Sequence, residues 1–217
     1  MKKIGVVLSG CGVYDGSEIH EAVLTLLAID RQRCEAVCMA PNIDVPVTDH
    51  LTGEGTDCKR NVLTESARIA RGKIRDIKDV SAAELDALMF PGGFGAAKNL
   101  CDFAVKGASA AVNPEVARLL KEMAAAGKPI GAVCIAPALV AAVLGSEFAP
   151  TVTIGTDTGT AAEIEKTGAH HQSCPVTEFV IDRENKLVTS PAYMLATHIS
   201  EVATGIEKTV AEVVKLM

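Results

Sequence analysis

The sequence predicts a doubly wound α/β fold built on a mostly parallel sheet. Three observations carry this. Short apolar runs alternate with segments of helical periodicity, hydrophobic residues make up 48% of the 217-residue chain while aromatic ones make up only 3%, and turns bearing Gly or Pro follow several apolar runs directly. With no Trp, two Tyr and five Phe, the core has to be built from Ala, Val, Ile and Leu. Those residues suit a parallel sheet covered by helices on both faces, and the alternation is that of repeated βα units.

Taken in order, residues 4–8 read as a first buried strand, and residues 17–30 as a helix with Ile19, Val23, Leu26 and Leu27 at helical spacing. Residues 35–39 form a second strand, ended by Ala40-Pro41. A less regular stretch, 42–59, precedes a helix over 61–71 and a short strand over 74–77. The apolar run 85–90 leads into Pro91-Gly92-Gly93-Phe94-Gly95. A helix over 114–126 ends at Gly127, the residue type favoured just past a helix C-terminus. Strand 130–133 follows, then Cys134 and a helix over 135–144. Runs 152–154, 179–182 and 187–189 complete the sheet, with a helix over 161–167 between them. The last pair of runs flanks Arg183-Glu184-Asn185-Lys186 and reads as a C-terminal β-hairpin, before a terminal helix over 194–216. With no internal repeat, low-complexity tract or long linker, residues 1–217 are expected to form one domain.

The formal net charge of −6 disfavours nucleic acid and anionic membrane surfaces as partners. No apolar run approaches the ~20 residues of a membrane span. Met1-Lys2-Lys3 is followed by only five apolar-run residues before Ser9-Gly10-Cys11-Gly12, which fits a buried strand better than a secretory signal, so a cytoplasmic location is expected. The seven cysteines form no CxxC pair and no zinc-ligand spacing, so neither a metal nor a disulfide framework is expected.

Ligands of open parallel sheets sit beyond the carboxyl ends of the strands, where the turns 9–17, 91–100 and 133–137 lie. Cys134, directly after a strand and directly before a helix, has the placement of a nucleophile elbow. The helix N-terminus would favour its thiolate, and the Ile135 amide could help hold an oxyanion. The competing reading is a small buried residue after a core strand. Gly93 could supply a second oxyanion amide, with Gly92 beside it, or the pair could be an ordinary tight turn. Glu18 fits a capping box with Asp15-Gly16-Ser17, or a proton shuttle against Cys134. His20 could line the same cleft or lie on the surface. The GGxG and Ser9-Gly-Cys-Gly patterns lack the features of nucleotide-binding loops.

These residues resemble the DJ-1/PfpI branch of the class I glutamine-amidotransferase-like superfamily, and more closely the bacterial ElbB-type isoprenoid biosynthesis (sigma cross-reacting) proteins. The matching segments run from Lys2-Lys3-Ile4-Gly5-Val6 and Ser9 to Glu21 through Pro91 to Leu100, Cys134-Ile135-Ala136-Pro137, Thr153 to Asp157 and Pro191 to Ala196. The resemblance implies a flavodoxin-like three-layer sandwich, often a homodimer. It also implies a cofactor-independent glyoxalase-type activity converting a small 2-oxoaldehyde such as glyoxal to a 2-hydroxy acid such as glycolate. Cys134 would be the nucleophile, Glu18 the acid/base, Gly93 and Ile135 the oxyanion amides, and Gly92, His20 and Asn99 pocket residues. Where hydrolase relatives carry a His after the nucleophile, this chain has Ile135, which disfavours protease and glutaminase chemistry. A redox-responsive or regulatory binding protein is the alternative.

Overall fold

The computed structural model describes residues 1–217. Strands β1 (Lys3–Val7), β2 (Glu35–Ala40), β3 (Asp44–Thr48), β4 (Gly55–Asn61), β5 (Ile74–Asp76), β6 (Ala87–Phe90), β7 (Ile130–Val133), β8 (Thr151–Val152), β9 (His170–His171), β10 (Val180–Asp182) and β11 (Leu187–Ser190) form three sheets. Seven of them join in the order β10-β11-β7-β6-β1-β2-β5. Every pairing in this sheet is parallel except the β10–β11 hairpin at its edge.

Helices α1 (Ile19–Arg31), α2 (Val62–Ile69), α3 (Phe94–Lys98), α4 (Phe103–Lys106), α5 (Pro114–Ala125), α6 (Ala136–Phe148), α7 (Thr158–Lys166) and α8 (Ile199–Leu216) surround the sheet. The strand period of two sorts side chains between the faces. In β6, Leu88 and Phe90 pack with Leu119, Leu120 and Leu139 of α5 and α6, while Ala87 and Met89 join Ile29, Ile206 and Val210 of α1 and α8. Two apolar clusters on opposite faces make the three-layer sandwich of the doubly wound prediction.

Several local expectations change. Residues 42–59 are not irregular: β3 and β4 pair antiparallel with a register shift between Pro46 and Thr48. The β4 residues are nearly all exposed, which is why they show no apolar alternation. Run 152–154 does not join the main sheet, since β8 pairs only with β9. The expected turn 91–100 contains the short helix α3, and a second short helix, α4, follows it in a segment for which the sequence predicts no element. The terminal helix begins at Ile199, after a 3₁₀ turn over Ala192–Met194. In α1 most of the expected face is reversed: Ile19, Val23 and Leu27 are exposed and only Leu26 packs partly against the core, while the buried positions are Glu21, Ala22, Thr25, Ala28 and Ile29. Small residues on that face let α1 pack closely against both the sheet and α8.

Candidate active site

Cys134 occupies the junction of β7 and α6 with φ = +61°, a left-handed conformation that non-glycine residues rarely adopt. Its N–H donates to Ser190 O of β11 at 2.9 Å, so the sheet holds the backbone up to the turn. Helix α6 takes over immediately, with Pro137 in its first turn where a missing N–H does no harm. It is apolar and buried on nearly every side, which fixes the elbow from below. Such strain costs on the order of 1–3 kcal/mol and persists only where the surroundings impose it.

The carboxyl group that meets this thiol is Glu21, not Glu18. Glu21 is fully buried in the first turn of α1, and the Cys134 thiol is hydrogen-bonded to it. A Cβ placed on Gly92 would lie 2.6 Å from Glu21 Oε2 and 2.9 Å from Cys134 Sγ, so both functional atoms converge on the space that only glycine leaves open. Two main-chain amides orient the carboxylate. Gly92 N–H donates to Oε2 at 2.9 Å and Tyr193 N–H donates to Oε1 at 3.1 Å. Glu18 is instead the N-cap of α1, accepting the Glu21 N–H on Oε2 at 2.7 Å. The capping box read from Asp15–Glu18 does not form: the helix begins two residues later than expected, with Glu18 itself as its cap and Glu21 on the inner face.

Burial dominates the electrostatics. It pushes the Glu21 carboxyl up to about 7, against the two amides that favour its charged form. Burial, and then the Glu21 charge, push the Cys134 thiol well above its ordinary range, although the Gly93 and Ile135 amides favour its thiolate. The expected lowering by the α6 N-terminus is thus outweighed. The thiol therefore keeps its proton near neutral pH, while the Glu21 carboxyl is about half ionised at pH 7. Above that pH the pair is a thiol donating to a carboxylate, an arrangement in which Glu21 can act as base.

Cys134, Ile135, Gly93 and Glu18 open onto a cavity of about 890 Å³. Tyr193 and Met194, on the 3₁₀ turn after β11, line it as well, and a further wall comes from α3, α4 and the start of α7. Gly93 has φ = +92° and lies against the backbone of Gly16 and Glu18, leaving no room for a side chain. No group of His, Cys, Asp and Glu is arranged to hold a metal ion.

The remaining expected site residues divide. His20 is on the rim rather than in the wall, with Nδ1 2.7 Å from the Tyr193 hydroxyl and 4.0 Å from Glu18 Oε1. Asn99 is outside the cavity. Its Nδ2 donates to the carbonyls of Ser9 and Asp15, both at 2.8 Å, and so ties down the turn after β1. Both of its Nδ2 protons are used there and it does not line the cavity, which removes it as a pocket residue. Glu21 and Tyr193 went unassigned in the sequence. The signal for Glu21 was its place at the head of the stripe 21-22-25-28-29, an inner face marked by small residues.

No family model matches the chain. It is 49% identical over 226 residues to the human glutamine amidotransferase-like class 1 domain-containing protein 3, mitochondrial, covering 99% of this chain and 83% of that one. It is 47% identical over 226 residues to the rat ES1 protein homolog, mitochondrial, covering 99% and 84%. A solved Ehrlichia chaffeensis isoprenoid biosynthesis protein with an amidotransferase-like domain superposes with a TM-score of 0.94 at 40% identity, covering 100% of this chain and 99% of that one. Drosophila melanogaster DJ-1beta, at 19% identity and a TM-score of 0.56 over 99% and 96% of the chains, shares the fold. The mitochondrial relatives overturn the expected cytoplasmic location. Net charge and the lack of an apolar span say nothing of which compartment holds a protein.

Proposed function

The chain belongs to the glutamine amidotransferase-like class 1 (ES1) family and shares its fold with DJ-1 and ThiJ/PfpI proteins, and from that premise we propose that it is a DJ-1/PfpI-like enzyme, a cofactor-independent glyoxalase acting on glyoxal or a related 2-oxoaldehyde. The observation that carries this reading is the convergence of the strained Cys134 sulfur and the buried Glu21 carboxylate on one point above Gly92. A base with a pKa near the working pH is the efficient kind.

In the proposed reaction Glu21 takes the thiol proton as Sγ adds to the aldehyde carbon, and returns it to the resulting oxygen. The Gly93 and Ile135 amides hold that oxygen while it carries charge. Removal of the hemithioacetal C–H gives an enediol. Protonation at the neighbouring carbon yields the thioester of a 2-hydroxy acid, and water releases the acid, so the net change is addition of one water. The Tyr193–His20 hydrogen bond offers a path for protons between the cavity and solvent. A thiol held protonated by burial does not suit a peroxide sensor, whose reactive form is the thiolate, and this weighs against the redox reading.

The test is conversion of glyoxal to glycolate by purified protein. Cys134→Ala should abolish it, and Cys11→Ala, altering a thiol outside the cavity, should leave most of it; full activity without the Cys134 sulfur ends the proposal. A homodimer forms part of the same proposal, supported by the exposed Ile19, Val23 and Leu27 stripe on α1, and light scattering would measure it.

A further inference from the structure

Glyoxal, with two carbons and two oxygens, occupies a small part of the cavity over Cys134. At about 890 Å³ that cavity lies near the top of the range for pockets that enclose whole organic ligands. Its outer wall is specific in character. Phe94 and Phe103, from the starts of α3 and α4, and Val105 face the same space as Ile135 and Met194. The one ammonium there, Lys106, is ion-paired with Asp102 at 2.6 Å. The other charged lining groups are the carboxylates of Glu18, Asp157 and Glu163. Glu163 is paired with Lys166, and Lys98 Nζ lies 4.8 Å over the Phe94 ring, so a substrate tail in this chamber meets apolar surface and the carboxylates of Glu18 and Asp157, which no Lys or Arg neutralises.

We propose that the site takes 2-oxoaldehydes bearing an uncharged apolar body, of aryl or branched-alkyl size, in preference to the smallest members of the class. This rests on the Cys134–Glu21 reading, since the reactive carbonyl must reach Sγ while the body lies against Phe94, Phe103 and Val105. The outer chamber would then select the substrate. The elbow would supply chemistry common to all of them. Burial of an aryl ring in such a wall is worth roughly 10- to 100-fold in kcat/KM. A carboxylate on that ring would face like charge and lose part of the gain.

The experiment compares methylglyoxal, phenylglyoxal and 4-carboxyphenylglyoxal, which share one ketoaldehyde group, as substrates of the full chain. Phenylglyoxal should exceed methylglyoxal by roughly 10-fold or more in kcat/KM, with the carboxylated ring falling below phenylglyoxal. Two exposed wall residues, Phe94 at 45% and Val105 at 81% exposure, can be changed without opening the core. Phe94→Ala and Val105→Ser should each lower kcat/KM for phenylglyoxal several-fold more than for methylglyoxal, chiefly through KM. Equal efficiency for methyl and phenyl substrates, or equal losses on both in the variants, overturns the inference while leaving the glyoxalase reading intact. If glyoxal is converted to glycolate but none of the three is turned over, the preference fails alone; if glyoxal is not turned over either, the glyoxalase reading fails and the preference with it.

Discussion

The cap of α1 and its first turn each carry a glutamate, three residues apart, and they are chemically unlike: Glu18 lines the cavity and Glu21 lies behind it against the Cys134 thiol. Glu18 terminates the helix, spends one oxygen on the Glu21 amide and stands 4.0 Å from the exposed His20 ring. Glu21 is wholly enclosed, gripped by two amides and pressed against a thiol. The residue type is the same and the backbone separation is less than one turn. What differs is which side of the helix faces the sheet, and with it whether water can solvate the charge. A carboxylate becomes a base for neutral pH here through helix phase rather than through proximity in sequence.

The most damaging way to probe this contrast is Glu21→Gln, which keeps the shape and removes the base. It should lower kcat/KM for 2-oxoaldehydes by roughly 10²- to 10⁴-fold, measured by steady-state kinetics. Tyr193→Phe deletes the hydroxyl that meets His20 while keeping the main-chain N–H on Glu21. A loss of about tenfold in kcat with little change in KM is expected if that hydroxyl carries protons. The same contrast has a thermodynamic face. In the unfolded chain Glu21 ionises near its ordinary 4.5 and in the fold near 7, so the fold binds this proton more tightly. Stability present below pH 4.5 is therefore lost as pH rises through about 7, by on the order of 3 kcal/mol. Urea denaturation at pH 5 and pH 8 should reveal that loss in the wild type and not in Glu21→Gln. The smallest effect belongs to Glu18→Gln, whose amide oxygen still accepts the cap hydrogen bond. Stability should change by less than about 1 kcal/mol, and kcat/KM by no more than a few-fold.

The same helix explains what the sequence disclosed and what it withheld. Cys134 was legible because its placement is local: four apolar residues, a thiol, then Pro137 inside a helix start. Gly92 and Gly93 were legible for a similar reason, as a turn at the end of β6. Asn99 and Glu18 were assigned from their segments, but their roles depend on which carbonyls and amides the fold brings near, and both serve the backbone. Glu21 was hidden because the bulky aliphatic residues Ile19, Val23 and Leu27 pointed to the wrong face of α1. Close packing against α8 selected the small residues, and no periodicity count weighs Ala and Thr above Ile and Leu. The β3–β4 hairpin was missed on the same ground, since exposed charged strands carry no apolar alternation.

The most direct test of the account is the pH dependence of kcat/KM for glyoxal in the wild type, Glu18→Gln and Glu21→Gln, measured side by side. If Glu21 is the base, efficiency rises with pH through an inflection near 7 in the wild type. The inflection persists in Glu18→Gln and disappears, with the rate, in Glu21→Gln. A Glu21→Gln enzyme that keeps both rate and inflection, beside a Glu18→Gln enzyme that loses them, would contradict the assignment.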